Sequence, residues 1–182
     1  MSDEIVPTYR PKFVIMGIAE GFAETFNYSP GMALDEFIVR LGGTLAYPDE
    51  NRDQGGQLIV EGPKNFRIVL QNHGSPQGAS FAIVHQIGHY FLHSLMGKKR
   101  ITIDHPGQNL ENLYPEKEEK DQIEVEAHWF AVAFQMPAKK VKAARQVNPD
   151  LADLAKHFHV SREAMRARLL DLEIAPKTWK PF

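Results

Sequence analysis

His85-Gln86-Ile87-Gly88-His89 is the stretch on which the reading of this chain turns. Two histidines at i and i+4 of a helix share one face, with Cβ atoms roughly 6 Å apart. That spacing lets both rings grip one tetrahedral zinc. In the usual His-Glu-x-x-His pattern of zinc proteases, the residue after the first His is not a ligand. It takes the proton of the attacking water and passes it to the leaving amine. Here that position is Gln86. An amide is nearly isosteric with a carboxylate but cannot accept that proton at neutral pH. Loss of general-base catalysis costs roughly 10²–10⁴-fold in rate. The stretch reads as a metalloprotease scaffold that keeps its metal and has lost its base, so strongly reduced activity is expected.

A pair of histidines at this spacing also occurs as a structural or exposed pair, and the rest of the chain has to be weighed against that. The 182 residues are 43% hydrophobic and 24% charged, the composition of a globular protein with a real core. There is no cysteine, so disulfides and thiolate metal sites are excluded. Net charge is −2, which gives no global attraction to nucleic acid. The segment from Met1 to Lys12 is polar and contains proline, with no apolar stretch of a signal peptide. No run approaches the ~20 apolar residues of a membrane span. A soluble cytoplasmic protein without a membrane partner is expected. Charge is uneven: Ala138 to Phe182 holds ten Lys/Arg and five Asp/Glu, while Glu111 to Glu126 holds seven acids and two lysines. This asymmetry fits either a nucleic-acid face on the C-terminal part or an internal electrostatic match, and the second is favoured.

Outward from the motif, Ser80 is the expected N-cap of a helix Phe81–Leu95, with Phe81, Val84, Gly88, Phe91, Leu92 and Leu95 inward. Gly88 costs a helix roughly 1 kcal/mol against Ala. A small residue there lets another element approach beside the metal. Upstream, Phe13, Met16, Ala19, Phe22, Ala23 and Phe26 form a helical stripe, and a second helix runs from Met32 to Leu41. Thr44–Tyr47 is a short strand. Gln57–Val60 and Phe66–Leu70 pair as a hairpin around a turn at Glu61–Asn65. Residues 48–56 and Gln71–Gly78 read as loops, and Lys98–Lys120 as irregular. Helices follow at Asp121–Gln135, Ala138–Gln146, Asp150–His157 and Ser161–Asp171.

A catalytic zinc needs a third protein ligand and an open position. Leu92 and Leu95 exclude a third His placed as in metzincins. A glutamate on the helix Asp121–Gln135 is the other route. Glu126 is the choice, because Ala127 and Phe130-Ala131 would pack that helix against the histidine helix. Glu124 lies about 200° away around the helix and is expected to face elsewhere. His128 and Asp104 are weaker candidates. His93 continues the i+4 ladder but drifts around the helix, so it reads as a residue behind the ligands or at the helix end. Tyr90 packs or hydrogen-bonds near the site.

Three blocks together resemble the ImmA/IrrE family of metallopeptidases. Phe81-Ala-Ile-Val-His-Gln-Ile-Gly-His-Tyr-Phe-Leu-His93 resembles its F-x-x-A-H-E-L-G-H-x-x-x-H signature. Glu126-Ala-His-Trp-Phe-Ala-Val-Ala-Phe-Gln-Met-Pro137 resembles E-A-N-x-F-A-x-x-L-L-M-P. The run from Leu154 to Leu172 resembles L-A-x-x-F-x-V-S-x-x-A-x-x-x-R-L-x-x-L. The blocks come in the family's order between positions 81 and 172, and the resemblance is taken to cover roughly positions 12 to 175. The resemblance implies a gluzincin-like zinc peptidase with one Zn²⁺ on His85, His89 and Glu126 and the general base at position 86. It implies a protein substrate, a DNA-binding repressor of the Xre helix-turn-helix type, whose cleavage switches on genes. The chain departs from the pattern at Gln86, at Val84 for a common Ala, and at His128 for the usual Asn. His128 is a candidate for orienting substrate. Two origins account for Gln86: an introduced substitution that traps substrate, which the intact ligands favour, and a natural pseudoenzyme.

Leu151–Leu172 has the look of a helix-turn-helix, with Ala155, Phe158, Val160, Ala164 and Leu169 at core spacing and Ser161 as cap. Arg162, Arg166 and Arg168 are candidate DNA or partner contacts, although packing or protein docking is favoured over DNA. The expected architecture is α+β: a mainly helical peptidase domain over 1–137 with a small β-sheet, and a helical C-terminal region over 138–182 packed on it. Two rival functions stand beside the peptidase: a non-catalytic module that sequesters a repressor, and a DNA-binding regulator acting through residues 151–172.

Overall fold

A computed structural model describes residues 5–47, 56–70, 75–96, 100–105 and 122–179. In chain order these form α1 (Lys12–Thr25), α2 (Leu34–Arg40), β1 (Gly43–Ala46), β2 (Gly56–Gly62), β3 (Asn65–Val69) and α3 (Pro76–His89). A π-helical turn (Tyr90–Leu95) continues α3. Then come β4 (Ile101–His105), α4 (Gln122–Gln135), α5 (Ala138–Val147), α6 (Leu151–Phe158) and α7 (Arg162–Asp171). The class is α+β, as expected. The loop expected over 48–56 falls almost wholly outside the described residues, as does most of the acidic run from Glu111.

The sheet has the order β1-β3-β2-β4. β2 and β3 form the expected antiparallel hairpin, with Leu58 opposite Ile68. β1 lies parallel to β3. β4 pairs antiparallel with β2, Leu58 facing Ile103, and corrects the expectation of irregular chain after Lys98. Ile101 and Ile103 are buried and Thr102 is exposed, the alternation of a half-buried strand, but too short to stand out beside Pro106-Gly107. Leu58, Val60, Phe66, Ile68, Ile101 and Ile103 line one buried face. That face meets the end of the histidine helix where Phe66 stacks on Tyr90, centroids 4.0 Å apart.

α3 begins earlier than expected. Ser75, not Ser80, is its N-cap: the Ser75 hydroxyl accepts the Gly78 N–H at 3.0 Å. Pro76 then occupies the first helical position, where a missing N–H costs nothing. Ser80 instead accepts the Gln135 side-chain amide at 3.0 Å, which ties α3 to α4. Every residue from Phe81 to Tyr90 is buried, so α3 is the central rod rather than a surface helix.

α4 crosses α3 at Gly88. A Cβ built there would lie 3.1 Å from the Ala127 carbonyl oxygen and 3.2 Å from Phe130 Cβ. Glycine here serves close approach of two backbones, as its place in the motif suggested. Gly88→Val should therefore force the helices apart. The expected loss is roughly 2–3 kcal/mol, a fall in Tm of roughly 5–10 °C for a chain of this size. Thermal unfolding of the metal-free variant followed by circular dichroism measures it, and an unchanged Tm would contradict so tight a crossing.

α1 packs on the other side of α4 through Ile15, Met16, Ala19 and Ala23. Phe13, expected inward, is 77% exposed, and Ile15 takes its place in the stripe. The C-terminal helices gather a second core of Met136, Val141, Leu154, Ala155, Phe158, Val160, Ala164, Met165 and Leu169, with Val132 packed against both cores. Asp150 and Ser161 cap α6 and α7. Among the described residues no helix is long and apolar enough to cross a membrane.

Candidate metal centre

The crossing at Gly88 decides which glutamate meets the histidines. Glu124 lies three residues before Ala127, about 60° from it around α4; Glu126 lies about 100° away in the other sense. Once Ala127 packs on Gly88, Glu124 faces the histidine rings and Glu126 faces the N-terminal segment. His85 Nε2 is 3.1 Å from Glu124 Oε2, His89 Nε2 is 3.3 Å from Glu124 Oε1, and the two Nε2 atoms are 3.0 Å apart. Glu124 thus stands where Glu126 was expected. The expectation failed because packing neighbours were matched to Glu126 without fixing the phase of α4 against α3.

The three groups suit a metal. Ligand atoms at roughly 2.0–2.1 Å from a tetrahedral zinc must lie roughly 3.3 Å from one another; the two histidine nitrogens are 3.0 Å apart, and each has its own Glu124 oxygen at 3.1 or 3.3 Å. Both histidines are fully buried and Glu124 is a quarter exposed, which leaves an approach from solvent on the glutamate side. Two imidazoles and one carboxylate form the donor set of zinc sites that keep an open position. His85, His89 and Glu124 are a group able to hold a metal ion. Gln86, 2% exposed, has a buried Oε1 with no hydrogen-bond partner among the described residues, as expected of a group whose partner is a water held at the centre.

Electrostatics follow the same geometry. Burial works to raise the Glu124 carboxyl, but the His85 and His89 contacts outweigh it and hold it well below the usual carboxylate range. Glu126 behaves likewise. Its burial is opposed by the backbone N–H of Thr8, by His93, by the Thr8 hydroxyl and by the backbone N–H of Tyr9, and the net shift is downward. Burial lowers His93, against the raising effect of Glu126, so its neutral form is favoured.

The remaining residues singled out in the sequence scatter. His93 is buried behind His89, with Nδ1 3.2 Å from His89 Nδ1 and Nε2 3.1 Å from Glu126 Oε2. The π-helical turn places it there. An i→i+5 turn winds in more residues than an α-turn, which offsets the drift expected of an i+4 ladder. Tyr90 turns to the sheet, where its hydroxyl accepts the Lys64 N–H at 3.1 Å. His128 is buried with its ring 5.4 Å from that of Phe81 and is not one of the metal group. The side chain of Asp104 lies outside the described residues.

In the tail, Arg162 is exposed. Arg166 lies over the Trp179 ring at 5.6 Å. Arg168 is 2% exposed, which corrects its candidacy as a DNA or partner contact. Its Nε donates to the Met136 carbonyl at 3.0 Å, and its guanidinium pairs with Glu20 at 2.7 Å and Asp171 at 3.1 Å. Lys12 pairs with the same Asp171. Arg168 is a bolt between the C-terminal helices and α1.

Residues 48–170 match the model of the family described as the IrrE N-terminal-like domain, a peptidase family. No curated protein matches the chain. Among solved structures the chain is similar to a Mycobacterium tuberculosis transcriptional regulator, with a TM-score of 0.53 and 19% identity over 86% of this chain and 46% of that one. At that identity the likeness concerns the fold alone, and the chain spans less than half of the regulator's length. With the family match running through α3, α4 and most of α7, and with the histidines of the decisive stretch meeting a glutamate of α4, the chain belongs to the peptidase family of the IrrE N-terminal-like domain.

Proposed function

We propose that this chain is a zinc peptidase scaffold that grips a protein substrate and cuts it poorly. The substrate class is a cytoplasmic DNA-binding repressor of the Xre helix-turn-helix type. The observation that carries the reading is the buried convergence of His85 Nε2, His89 Nε2 and the Glu124 carboxylate. Bound there, zinc supplies Lewis acidity to a scissile carbonyl and lowers the pKa of a water. His85 and His89 fix the metal from α3, and Glu124 closes the set from α4. Gln86 stands at the general-base position. Its amide can hold a water by hydrogen bonding but cannot take that water's proton, so the proton transfer loses its acceptor.

Gln86 also favours a second reading, in which the chain binds a repressor at the same site and sequesters it uncut. A DNA-binding role for residues 151–172 is weakened by the burial of Arg168 and by the engagement of Arg166 with Trp179. Metal content of the chain, purified without chelator or added metal, tests the reading. About one zinc per chain is expected, lost in His85→Ala. No metal in either protein would leave the sequestration reading ahead.

A further inference from the structure

Glu126, displaced from the metal triangle, sits at the centre of a second polar cluster. It is fully buried. Its Oε2 accepts the Thr8 N–H at 2.8 Å and His93 Nε2 at 3.1 Å, and its Oε1 accepts the Tyr9 N–H at 2.8 Å. Two consecutive backbone amides on one carboxylate form an anion-binding concavity. Tyr9 holds a left-handed φ of 52° to make it, a conformation that costs a non-glycine residue about 1 kcal/mol or more. Its side chain is 74% exposed, so side-chain burial does not explain that backbone. The carboxylate does.

The protons in this cluster can be ordered. An ionised carboxylate only accepts, so His93 Nε2 carries the hydrogen. A His89 that ligates through Nε2 keeps its hydrogen on Nδ1, and His93 Nδ1, 3.2 Å away, is placed to accept it. That leaves His89 Nε2 bare, on the side where it meets His85 and Glu124. We infer that Glu126 and His93 are positioning residues that set the tautomer and ring orientation of His89, and that the Thr8–Tyr9 backbone belongs to the metal centre as the support of Glu126. The inference rests on the reading of His85, His89 and Glu124 as ligands. Such supports behind a ligating histidine typically contribute 10–100-fold to metal affinity.

The test is zinc affinity by competition with a chromogenic chelator, on full-length wild type, Glu126→Gln, His93→Leu and Thr8→Pro. Phe134→Leu is the control, as buried on α4 but packed against Tyr28 and Phe37, outside the relay. Glu126→Gln and His93→Leu are each expected to weaken zinc roughly 10–100-fold. Thr8→Pro, which removes an amide donor and the Thr8 hydroxyl while leaving 93 and 126 intact, moves the affinity the same way by a smaller factor. The control stays near wild type. Nitrogen-15 NMR of the zinc-loaded wild type should show His89 bound through Nε2, with an exchange-protected Nδ1–H that disappears in His93→Leu. Affinities of all three relay variants within twofold of wild type would overturn the inference while leaving the three ligands in place. So would His89 bound through Nδ1. A wild type that takes up no zinc would overturn the ligand reading and this inference together.

Discussion

Gln86→Glu is expected to raise peptide-bond cleavage by roughly 10²–10⁴-fold. Position 86 follows the first ligand directly on a helix that is buried on all sides, and Gln86 itself is 2% exposed. The exchange swaps an amide for a carboxylate of nearly the same shape, so it leaves the packing of α3 alone and changes only what the group can do with a proton. Its Oε1 already lies buried without a partner among the described residues, so the variant needs no side chain to make way. A buried carboxylate is costly unless it is paired, and a metal held by His85, His89 and Glu124 supplies the compensating charge. The variant should therefore recover activity only when metal-loaded. Single-turnover cleavage of Xre-type repressors, with metal content measured in parallel, reads the effect. A metal-loaded variant that cuts no faster than the parent would mean that position 86 is not what limits the chain, and sequestration would become the better account.

Glu124→Ala is expected to cost at least 10²-fold in zinc affinity, more than Glu126→Gln. Four-ligand zinc sites bind with an apparent ~10–16 kcal/mol, so one ligand of the set accounts for roughly 3–4 kcal/mol, two to three orders of magnitude. A residue supporting a ligand from behind contributes roughly 10–100-fold. The two glutamates are two residues apart in sequence, and only the phase of α4 separates their roles. Isothermal titration with zinc ranks them directly. If Glu126→Gln proved the more damaging, the crossing of α3 and α4 would have to be rotated and Glu126 restored to the metal.

That choice shows where the sequence stops being informative. His85 and His89 were legible because their spacing alone puts them on one face. The cap Ser161, and the buried positions Phe158, Val160 and Leu169, were legible because each is a local rule. Glu124 was not, since a helix does not record which of its faces a neighbour will take. Gly88 held the missing constraint: it marks the crossing point, Ala127 is the small residue able to meet it, and the ligand follows at three residues' distance. The Thr8–Tyr9 support was hidden for a different reason. Backbone amides donate whatever the side chain, so no residue type announces them. β4 failed on length, its five residues giving two and a half periods of alternation.

The contact of Gly88 with Ala127 governs how substitutions near the site would act. α3 and α4 meet at Gly88 against the Ala127 backbone, with only the Cβ of Phe130 beside the contact. The places of the candidate ligands His85, His89 and Glu124 are thereby set largely by main chain, within one helical turn of the crossing. Position 86 is free to exchange a base for an amide without disturbing them. A single exchange at position 86 would thus change the chemistry while the candidate metal group keeps its geometry.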